Sequence, residues 1–267
     1  MARAGTGCRR REAPLGELLY GRNAVLEALR AGRRRAYYLA VARGSQRSGT
    51  LEAILELAAH RQVPVREVER EELDRLAAGH QGVALQVTGY PYAGLEALIE
   101  RAGPDALYLL LDCIEDPQNL GTLLRTADAV GVAGVVIPAH RAVGVTPAVA
   151  NASAGAVEYL TVAQVGNLVQ AMESLRAAGV WLVGLEDVPE AQLYDQVDWR
   201  GATALIVGSE GRGMRRLVRE RCDLVVRLPM AGHVGSLNAA VAGSIALYQA
   251  WRTSNTQYVI RLHRKKP

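Results

Sequence analysis

The sequence predicts an α/β protein with two parts: a small N-terminal α/β unit and a larger C-terminal unit built on a parallel sheet. Of the 267 residues, 49% are hydrophobic and 22% are charged, which is enough apolar material for a substantial core. Short apolar runs alternate with segments of helical periodicity along most of the chain. In the C-terminal part these runs are continuously apolar, as is typical of parallel strands buried on both faces.

The N-terminal part begins with residues 1–17, which show no periodicity and are expected to form a mobile basic tail. Residues 18–88 then alternate between helical and strand patterns and are interpreted as one domain. We expect helices at 18–29, 51–60 and 71–77, and strands at 36–42, 63–68 and 83–87. Residues 89–105 surround a short helix at 95–101 with proline and glycine, so they are interpreted as a linker.

The C-terminal part, residues 106–253, shows the clearest alternation, and a second basic tail at 254–267 follows it. Because continuous apolar strands separated by helices form parallel sheets, this part predicts a doubly covered sheet. We expect strands at 107–111, 134–137, 157–160, 180–185, 204–207 and 224–228, and helices at 120–130, 147–154, 168–178, 214–221 and 237–251.

Charge and cysteine usage narrow the class of protein. Residues 1–47 carry 11 Arg against 3 Glu, although the whole chain has a net charge of only +4. A basic N-terminal segment followed by a mildly acidic remainder favours a polyanionic partner. The alternative is a solvated arginine-rich tail with no partner. The three cysteines form no CxxC pair, so a disulfide framework or zinc site is not expected and a reducing cytoplasm fits best. No apolar run is long enough to span a membrane.

Three polar and glycine-rich segments follow predicted strands. They are DCIEDPQNLGTLLR at 112–125, GSEGRGM at 208–214 and LPMAGHVGSLN at 228–238. Ligands of parallel α/β sheets bind beyond the carboxyl ends of the strands, so these segments are expected to meet at one site. The glycines of 208–214 do not have the order of the dinucleotide fingerprint, and no Walker lysine is present, which disfavours a nicotinamide-dependent dehydrogenase.

Each segment taken alone also has a structural explanation. Asn119 and Ser236 both suit a helix N-cap, and Arg125 suits a surface arginine beside Asp128. Leu228 and Leu237 suit either an apolar floor for a flat ring or ordinary core positions.

Taken together, the segments resemble the three motifs of the SpoU ribose methyltransferases, which belong to the SPOUT superfamily. The resemblance rests on E-D-P-x-N-x-G-x-x-x-R-T-A, V-G-x-E-G-x-G-M and L-P-M-x-G-x-V-x-S-L-N-A-A-V-A, and covers residues 107–252. LYGRNAVLEALRAG and HQGVAL further resemble the ribosomal-protein-L30e-like substrate-binding domain of many members. The resemblance implies a trefoil knot, a homodimer, S-adenosyl-L-methionine as cofactor and no metal. The nearest likeness is to bacterial enzymes that methylate a guanosine of 23S rRNA.

The resemblance also implies roles for individual residues. The expected catalytic set is Asn119, Arg125, Glu210 and Asn238, with Arg125 orienting the ribose hydroxyl and Asn119 and Glu210 holding its guanidinium. The expected cofactor-binding residues are Gly208, Gly211, Leu228, Met230, Ser236 and Leu237. The expected RNA-binding residues are Arg22, Asn23, Arg33, Arg34 and Arg35. Two alternatives stay open: a tRNA substrate, and a non-catalytic RNA-binding module for ribosome assembly with the same fold.

Overall fold

The computed structural model describes residues 16–46, 48–100, 103–233 and 235–254. The two basic tails expected from the sequence therefore lie outside the described residues, apart from residues 16, 17 and 254. Within the described chain, no helix is both long enough and apolar enough to cross a membrane.

The N-terminal unit is a four-stranded sheet covered by helices. Its strand order is β1-β4-β2-β3, with β4 antiparallel to both β1 and β2, and β2 parallel to β3. The strands are β1 (Glu17–Tyr20), β2 (Ala36–Ala42), β3 (Val65–Val68) and β4 (Val83–Val87), and the helices are α1 (Arg22–Ala31), α2 (Gly49–His60) and α3 (Arg70–Leu76).

The helix expected at 18–29 is wrong in its first turn, because residues 17–20 form strand β1. Leu19 is fully buried and pairs with Leu85 in the ladder to β4, so its side chain serves the sheet. Gly21 follows at φ +84°, a left-handed conformation that favours glycine and separates the strand from α1. The apolar spacing that predicted one helix therefore continues across a strand and a helix.

The C-terminal unit is a seven-stranded sheet in which all the strand pairs are parallel. Its order is β7-β6-β5-β10-β8-β11-β9. The strands are β5 (Leu107–Asp112), β6 (Gly134–Pro138), β7 (Val162–Val165), β8 (Trp181–Leu185), β9 (Gln192–Leu193), β10 (Thr203–Gly208) and β11 (Leu224–Arg227). The helices are α4 (Leu95–Glu100), α5 (Pro117–Ala129), α6 (Pro147–Ala152), α7 (Leu168–Ala177), α8 (Arg216–Glu220) and α9 (Ala239–Ser254).

The strand expected at 157–160 is wrong: Ala156–Glu158 is a 3-10 turn, and strand β7 follows at Val162–Val165. Val157 and Leu160 are nonetheless buried, and their main-chain oxygens accept hydrogen bonds from the Tyr90 hydroxyl at 3.2 and 2.7 Å. Burial explains the apolar pattern that suggested a strand. The two-residue β9 was missed because it is too short to show a period.

The two units pack against each other through one continuous hydrophobic cluster, which contains residues of both sheets. Helix α6 lies on β1, and the 3-10 turn lies on α1. Gly155 has φ +86°, and a Cβ there would stand 2.6 Å from the Glu27 Cβ, so the close approach of the turn to α1 depends on glycine.

The C-terminal sheet positions the three sequence motifs. Strands β5, β10 and β11 run parallel, so their carboxyl ends open on the same edge of the sheet. Helix α5 follows β5 and packs along α9. A Cβ at Gly243 of α9 would lie 2.6 Å from Leu123 Cδ2, so glycine lets the two helices approach closely. The trefoil knot stays a prediction.

Candidate active site

The first motif begins with a buried carboxylate at the end of β5. Asp112 is fully buried and accepts hydrogen bonds from the main-chain N–H and the Nε of Arg215, both at 2.7 Å. A buried carboxylate requires such partners, and hydrogen bonds to ionised groups are among the strongest in proteins. This pair fastens the first motif to the segment that follows the second.

The second motif forms a closed loop, residues 209–213, which we call the glycine loop. Ser209 and Gly213 exchange main-chain hydrogen bonds of 3.1 and 3.0 Å, so the loop returns to the end of β10. A Cβ on Gly208 would stand 2.3 Å from the carbonyl carbon of Gly213, and Gly211 and Gly213 have positive φ angles. These glycines therefore permit a fold that other residues would block.

Glu210 on the glycine loop joins two asparagines in a cluster that we call the amide–carboxylate cluster. Its Oε2 accepts hydrogen bonds from Nδ2 of Asn119 at 3.3 Å and from Nδ2 of Asn238 at 3.0 Å. Asn238 Nδ2 also donates to Asn119 Oδ1 at 2.9 Å. The structure thus brings together one residue from each of the three motifs.

The helix caps differ from the sequence alternatives. Asp116, not Asn119, caps α5, because its carboxylate accepts from the N–H groups of Gln118 and Asn119, each at 3.2 Å. Asn238, not Ser236, caps α9, because its Oδ1 accepts from Ala240 N–H at 2.9 Å. The side chain of Asn238 is therefore fixed at both ends, by the helix and by the amide–carboxylate cluster.

A cleft of about 360 Å³ opens between the ends of β8, β10 and β11. All six residues expected to bind the cofactor line it: Gly208, Gly211, Leu228, Met230, Ser236 and Leu237. Glu210 also lines it, so the cleft adjoins the amide–carboxylate cluster. Leu237 is 39% exposed although it is apolar, which is typical of a wall that an apolar part of a ligand can cover.

Arg125 lies apart from these residues. It is exposed, makes no hydrogen bond or ion pair to any described residue, and lines a small depression with Thr122 and Tyr248. Within the described chain Asn119 and Glu210 do not hold its guanidinium, because those side chains bond to each other and to Asn238. The alternative pairing with Asp128 is absent too.

Sequence reasoning missed four charged residues of the cleft: Glu186, Asp187, Arg212 and Arg227. Glu186 and Asp187 follow β8, which carries no glycine motif, and Arg227 ends β11 just before the third motif. The strand order would have indicated Glu186 and Asp187, because β8 lies between β10 and β11, the strands that lead into the second and third motifs.

Two of the residues expected to bind RNA, Arg33 and Arg34, lie at the interface between the two units, and the other three remain at the surface. The prediction that Arg34 contacts RNA is wrong, because this residue is buried. Its side chain is 1% exposed and pairs with Glu17 at 2.7 Å and with the equally buried Glu158 at 2.8 Å. Burial raises the pKa of Glu158 even though Arg34 opposes the shift. Arg33 donates to the main-chain oxygens of Glu158 and Leu160. Both arginines thus join the two units.

Arg22, Asn23 and Arg35 remain at the surface of the N-terminal unit. The first two line a polar depression of about 520 Å³, together with Ser45, Gln46, Thr50, Arg70 and Gln81, which we call the N-terminal groove. Arg22 is held there by hydrogen bonds from Nε to the Gln81 carbonyl at 3.1 Å and from Nη1 to Ser48 Oγ at 2.7 Å. Arg35 is exposed, with its guanidinium 5.5 Å from the centre of the Tyr37 ring.

Gln81 gives the N-terminal groove a defined shape. It has φ +53°, which is uncommon for a residue with a side chain, and its Oε1 accepts from the Arg22 N–H at 2.9 Å. Arg70 was not expected from the sequence, because nothing in its local pattern separates it from other helix-start residues. Among the described residues, no cluster of His, Cys, Asp and Glu could hold a metal ion.

Comparison with known proteins adds independent findings. The model of the SpoU rRNA methylase family matches residues 106–248, and the model described as RNA 2'-O ribose methyltransferase substrate binding matches residues 18–93.

Individual relatives agree with these matches. The 23S rRNA (guanosine-2'-O-)-methyltransferase RlmB of Pseudomonas putida is 41% identical over 240 residues, covering 88% of this chain and 96% of that protein. A protein of Mycolicibacterium vanbaalenii, described as an uncharacterized tRNA/rRNA methyltransferase, is 44% identical over 241 residues, covering 88% and 76%. The crystal structure of the SpoU methyltransferase AviRb from Streptomyces viridochromogenes, in complex with AdoMet, aligns with a TM-score of 0.74 at 27% identity, covering 91% and 90%.

Proposed function

The chain belongs to the SpoU rRNA methylase family and is an S-adenosylmethionine-dependent RNA 2'-O-methyltransferase, and on this premise we propose that it methylates a guanosine of 23S rRNA. The observation that carries the proposal is the convergence of Asn119, Glu210 and Asn238 beside a cleft lined by the six expected cofactor residues. The rRNA relative above supports the choice of substrate.

The cleft suits S-adenosylmethionine chemically. Its floor has apolar side chains at Leu228 and Leu237, and its wall is the glycine loop, which offers main-chain groups without a Cβ in the way. A sulfonium cofactor carries no phosphate, so the missing Walker lysine is no obstacle. When bound, the cofactor supplies the methyl group. Gly208, Gly211, Leu228, Met230, Ser236 and Leu237 would hold it.

The reaction needs the ribose 2'-oxygen to become a better nucleophile than a neutral hydroxyl. The amide–carboxylate cluster is a rigid polar wall at the edge of the cleft, and we assign it the orientation of the acceptor ribose. Arg125 would stabilise negative charge on the 2'-oxygen or on the adjacent phosphate, since a guanidinium donates several hydrogen bonds and hardly loses a proton. Alignment of the two reactants alone can lower the activation free energy by up to about 7–11 kcal/mol.

The isolated position of Arg125 supports a homodimer in which a second copy completes its surroundings. Beside it, α9 exposes an apolar stripe at i, i+4 and i+7, formed by Val241, Ile245 and Tyr248, which are 46%, 38% and 50% exposed. Such a stripe on a long helix is typical of a surface covered by a partner helix. Ile245→Asp should convert a dimer to a monomer in light scattering; a wild-type protein that is monomeric at micromolar concentration would contradict this assignment.

For RNA capture we propose the N-terminal groove, with Arg22 and Asn23 as contacts there, Arg35 as a contact outside the groove, and residues 18–88 as the RNA-binding domain. The groove combines cationic, amide and hydroxyl groups, which are the groups that recognise phosphates, 2'-hydroxyls and unstacked bases. Residues 106–253 would form the methyltransferase domain, acting in the cytoplasm.

Ribose-methylation mapping of cellular RNA, with and without the gene for this chain, tests the substrate. We expect one 2'-O-methylguanosine of 23S rRNA to disappear and to return with the wild-type gene. Asn238→Ser keeps a helix cap but cannot span the amide–carboxylate cluster, so it should fold normally and restore little of the mark. A mark lost only from tRNA would establish the alternative substrate, and no lost mark would favour the non-catalytic module.

A further inference from the structure

Glu186 is a carboxylate in the cleft wall to which the motifs give no role. It is the first residue after β8, which lies between β10 and β11, and its main-chain N–H donates to the Val226 carbonyl at 3.0 Å. Its side chain is only 14% exposed and lines the cleft. Largely removing a carboxylate from water costs free energy unless its oxygens accept hydrogen bonds from other groups.

Those donors belong to the residue that follows the glycine loop and to helix α8. Oε1 of Glu186 accepts a hydrogen bond from the Met214 N–H at 3.2 Å, and Oε2 accepts one from Nη1 of Arg219 at 3.4 Å. Gly213 has φ +66°, and a Cβ there would stand 2.0 Å from Glu186 Oε1. The carboxylate therefore occupies the space that the absent side chain of Gly213 leaves free.

The glycine loop is thus anchored at two points, each of which involves a carboxylate. Glu186 grips the chain where the loop ends, and Glu210, within the loop, is held by Asn119 and Asn238. Gly213, at the end of the loop near Glu186, lines the cleft, and so does Glu210, which also belongs to the amide–carboxylate cluster. A loop fixed in this way is shaped before a ligand arrives, which reduces the entropy lost on binding.

We propose that Glu186 is a positioning residue that keeps the glycine loop in the shape that binds S-adenosylmethionine, and so sets the affinity for the cofactor through the Met214 N–H. The inference rests on the proposed location of the cofactor in the cleft.

The ion pair with Arg219 is a minor part of this arrangement. Arg219 is 37% exposed and the N–O distance is 3.4 Å, and exposed pairs of this kind contribute little. The hydrogen bond to the main chain is partly buried, and it joins a carboxylate acceptor to the N–H of the residue that follows the glycine loop. Variants that separate the two interactions therefore test the proposal.

Titration calorimetry with S-adenosylmethionine and with S-adenosylhomocysteine measures the affinity directly. Glu186→Ala should raise both dissociation constants about tenfold, since one charge-assisted hydrogen bond is lost. Glu186→Gln keeps an oxygen for the Met214 N–H and should stay within about threefold of wild type. Arg219→Ala should stay within about twofold. Glu190→Ala, an exposed acid on the segment after β8, is the matched control and should bind as wild type.

Two further readouts separate positioning from a general loss of structure. In hydrogen–deuterium exchange, residues 209–214 of Glu186→Ala should exchange faster than in the wild type, and saturating cofactor should restore protection. In steady-state assays the KM for the cofactor should rise about tenfold while kcat changes less than about threefold. If Glu186→Ala does not fold, Gly213→Ala displaces the loop with the carboxylate intact and should reproduce the loss of affinity.

The proposal is wrong if Glu186→Ala binds as wild type, if Glu186→Gln is as weak as Glu186→Ala, or if Arg219→Ala reproduces the full effect. Failure of the proposed cofactor site would look different. Gly208→Val introduces a side chain where a Cβ would stand 2.3 Å from Gly213, so it should abolish binding whatever the role of Glu186. Unchanged affinity in Gly208→Val would place the cofactor elsewhere.

Discussion

The cleft and the interface between the two units use charged residues in opposite ways. At the cleft, Glu210 is exposed and is held only by neutral amides, so free acceptor capacity remains for a ligand. At the interface, the side chains of Arg34 and Glu158 are each 1% exposed and pair with each other. A charged side chain therefore serves ligand binding or packing according to the groups that surround it, and its residue type alone does not decide between the two roles.

The interface also confines an aromatic ring. Tyr90 is buried, the Arg34 guanidinium carbon lies 5.0 Å from the ring centre, and the hydroxyl donates to the carbonyl of Leu160 at 2.7 Å. Desolvation raises the pKa of Tyr90 to about 12 and also raises the pKa of Glu158. Because these groups are withdrawn from water, changes in them should alter stability, whereas changes at the cleft should alter binding.

The largest effect on stability is expected for Arg34→Met, which leaves Glu158 buried without its partner. Removing one member of a buried pair costs about 3–5 kcal/mol, so the urea midpoint should fall strongly. Arg34→Met/Glu158→Leu removes both charges and should recover most of the loss.

Arg35→Met is the matched control, because Arg35 is exposed, and it should change the free energy of unfolding by no more than about 0.5 kcal/mol. An Arg34→Met variant that is as stable as wild type but binds RNA more weakly would restore the original interpretation of Arg34 as an RNA contact.

This contrast also explains what the sequence could predict. The cleft was predictable because parallel strands deliver their following loops to one edge, so Asn119, Glu210 and Asn238 meet although they are separated by 91 and 28 residues. The family resemblance then selected those residues from other polar ones. Arg34 was not predictable, since RRR at 33–35 gives no sign that the middle side chain points into the interface.

The errors in the predicted elements and in the site also arise because local sequence does not show which groups surround a residue. Residues 157–160 have an apolar pattern because Val157 and Leu160 are buried under Tyr90, not because they form a strand. Arg125 shows the reverse case, since its motif position was recognised but its neighbours were not. A helical residue six positions after Asn119 lies about 9 Å further along the axis, which takes its side chain away from the amide–carboxylate cluster.

An intermediate effect is expected from alkaline pH acting on Tyr90. A folded-state pKa of about 12 lies above the unfolded value near 10, so the stabilisation is complete below pH 10 and is lost as the pH rises towards 12. The loss should amount to about 2–3 kcal/mol.

Urea titrations at pH 8, 10 and 11.5 measure this loss, and Tyr90→Phe should make the decline shallower because its ring has no proton to lose. Part of the decline should remain, since the pKa values of Cys222 and Tyr159 are also raised to about 12. Tyr20→Phe, which removes the hydroxyl of a half-buried tyrosine on β1, is the comparison and should retain the wild-type slope. If wild type and Tyr90→Phe decline in parallel, the alkaline sensitivity arises elsewhere and the interface is less closed to water than its burial indicates.

The smallest effect is expected at the N-terminal groove, where the exposed Arg70 makes no hydrogen bond or ion pair to the described residues. Arg70→Ala should leave the free energy of unfolding within about 0.5 kcal/mol of wild type. If the arginine meets one phosphate, affinity for a 23S rRNA fragment should fall a few-fold, and the slope of log K against log salt should become shallower by about 0.7–0.9. Arg200→Ala removes an equally exposed arginine that is paired with Asp198 on the other unit, so it should change neither quantity. Equal losses in both variants would reduce the groove to general surface charge. A loss in Arg70→Ala alone would extend the contrast, because the exposed Arg70 would then contact RNA whereas the buried Arg34 joins the two units.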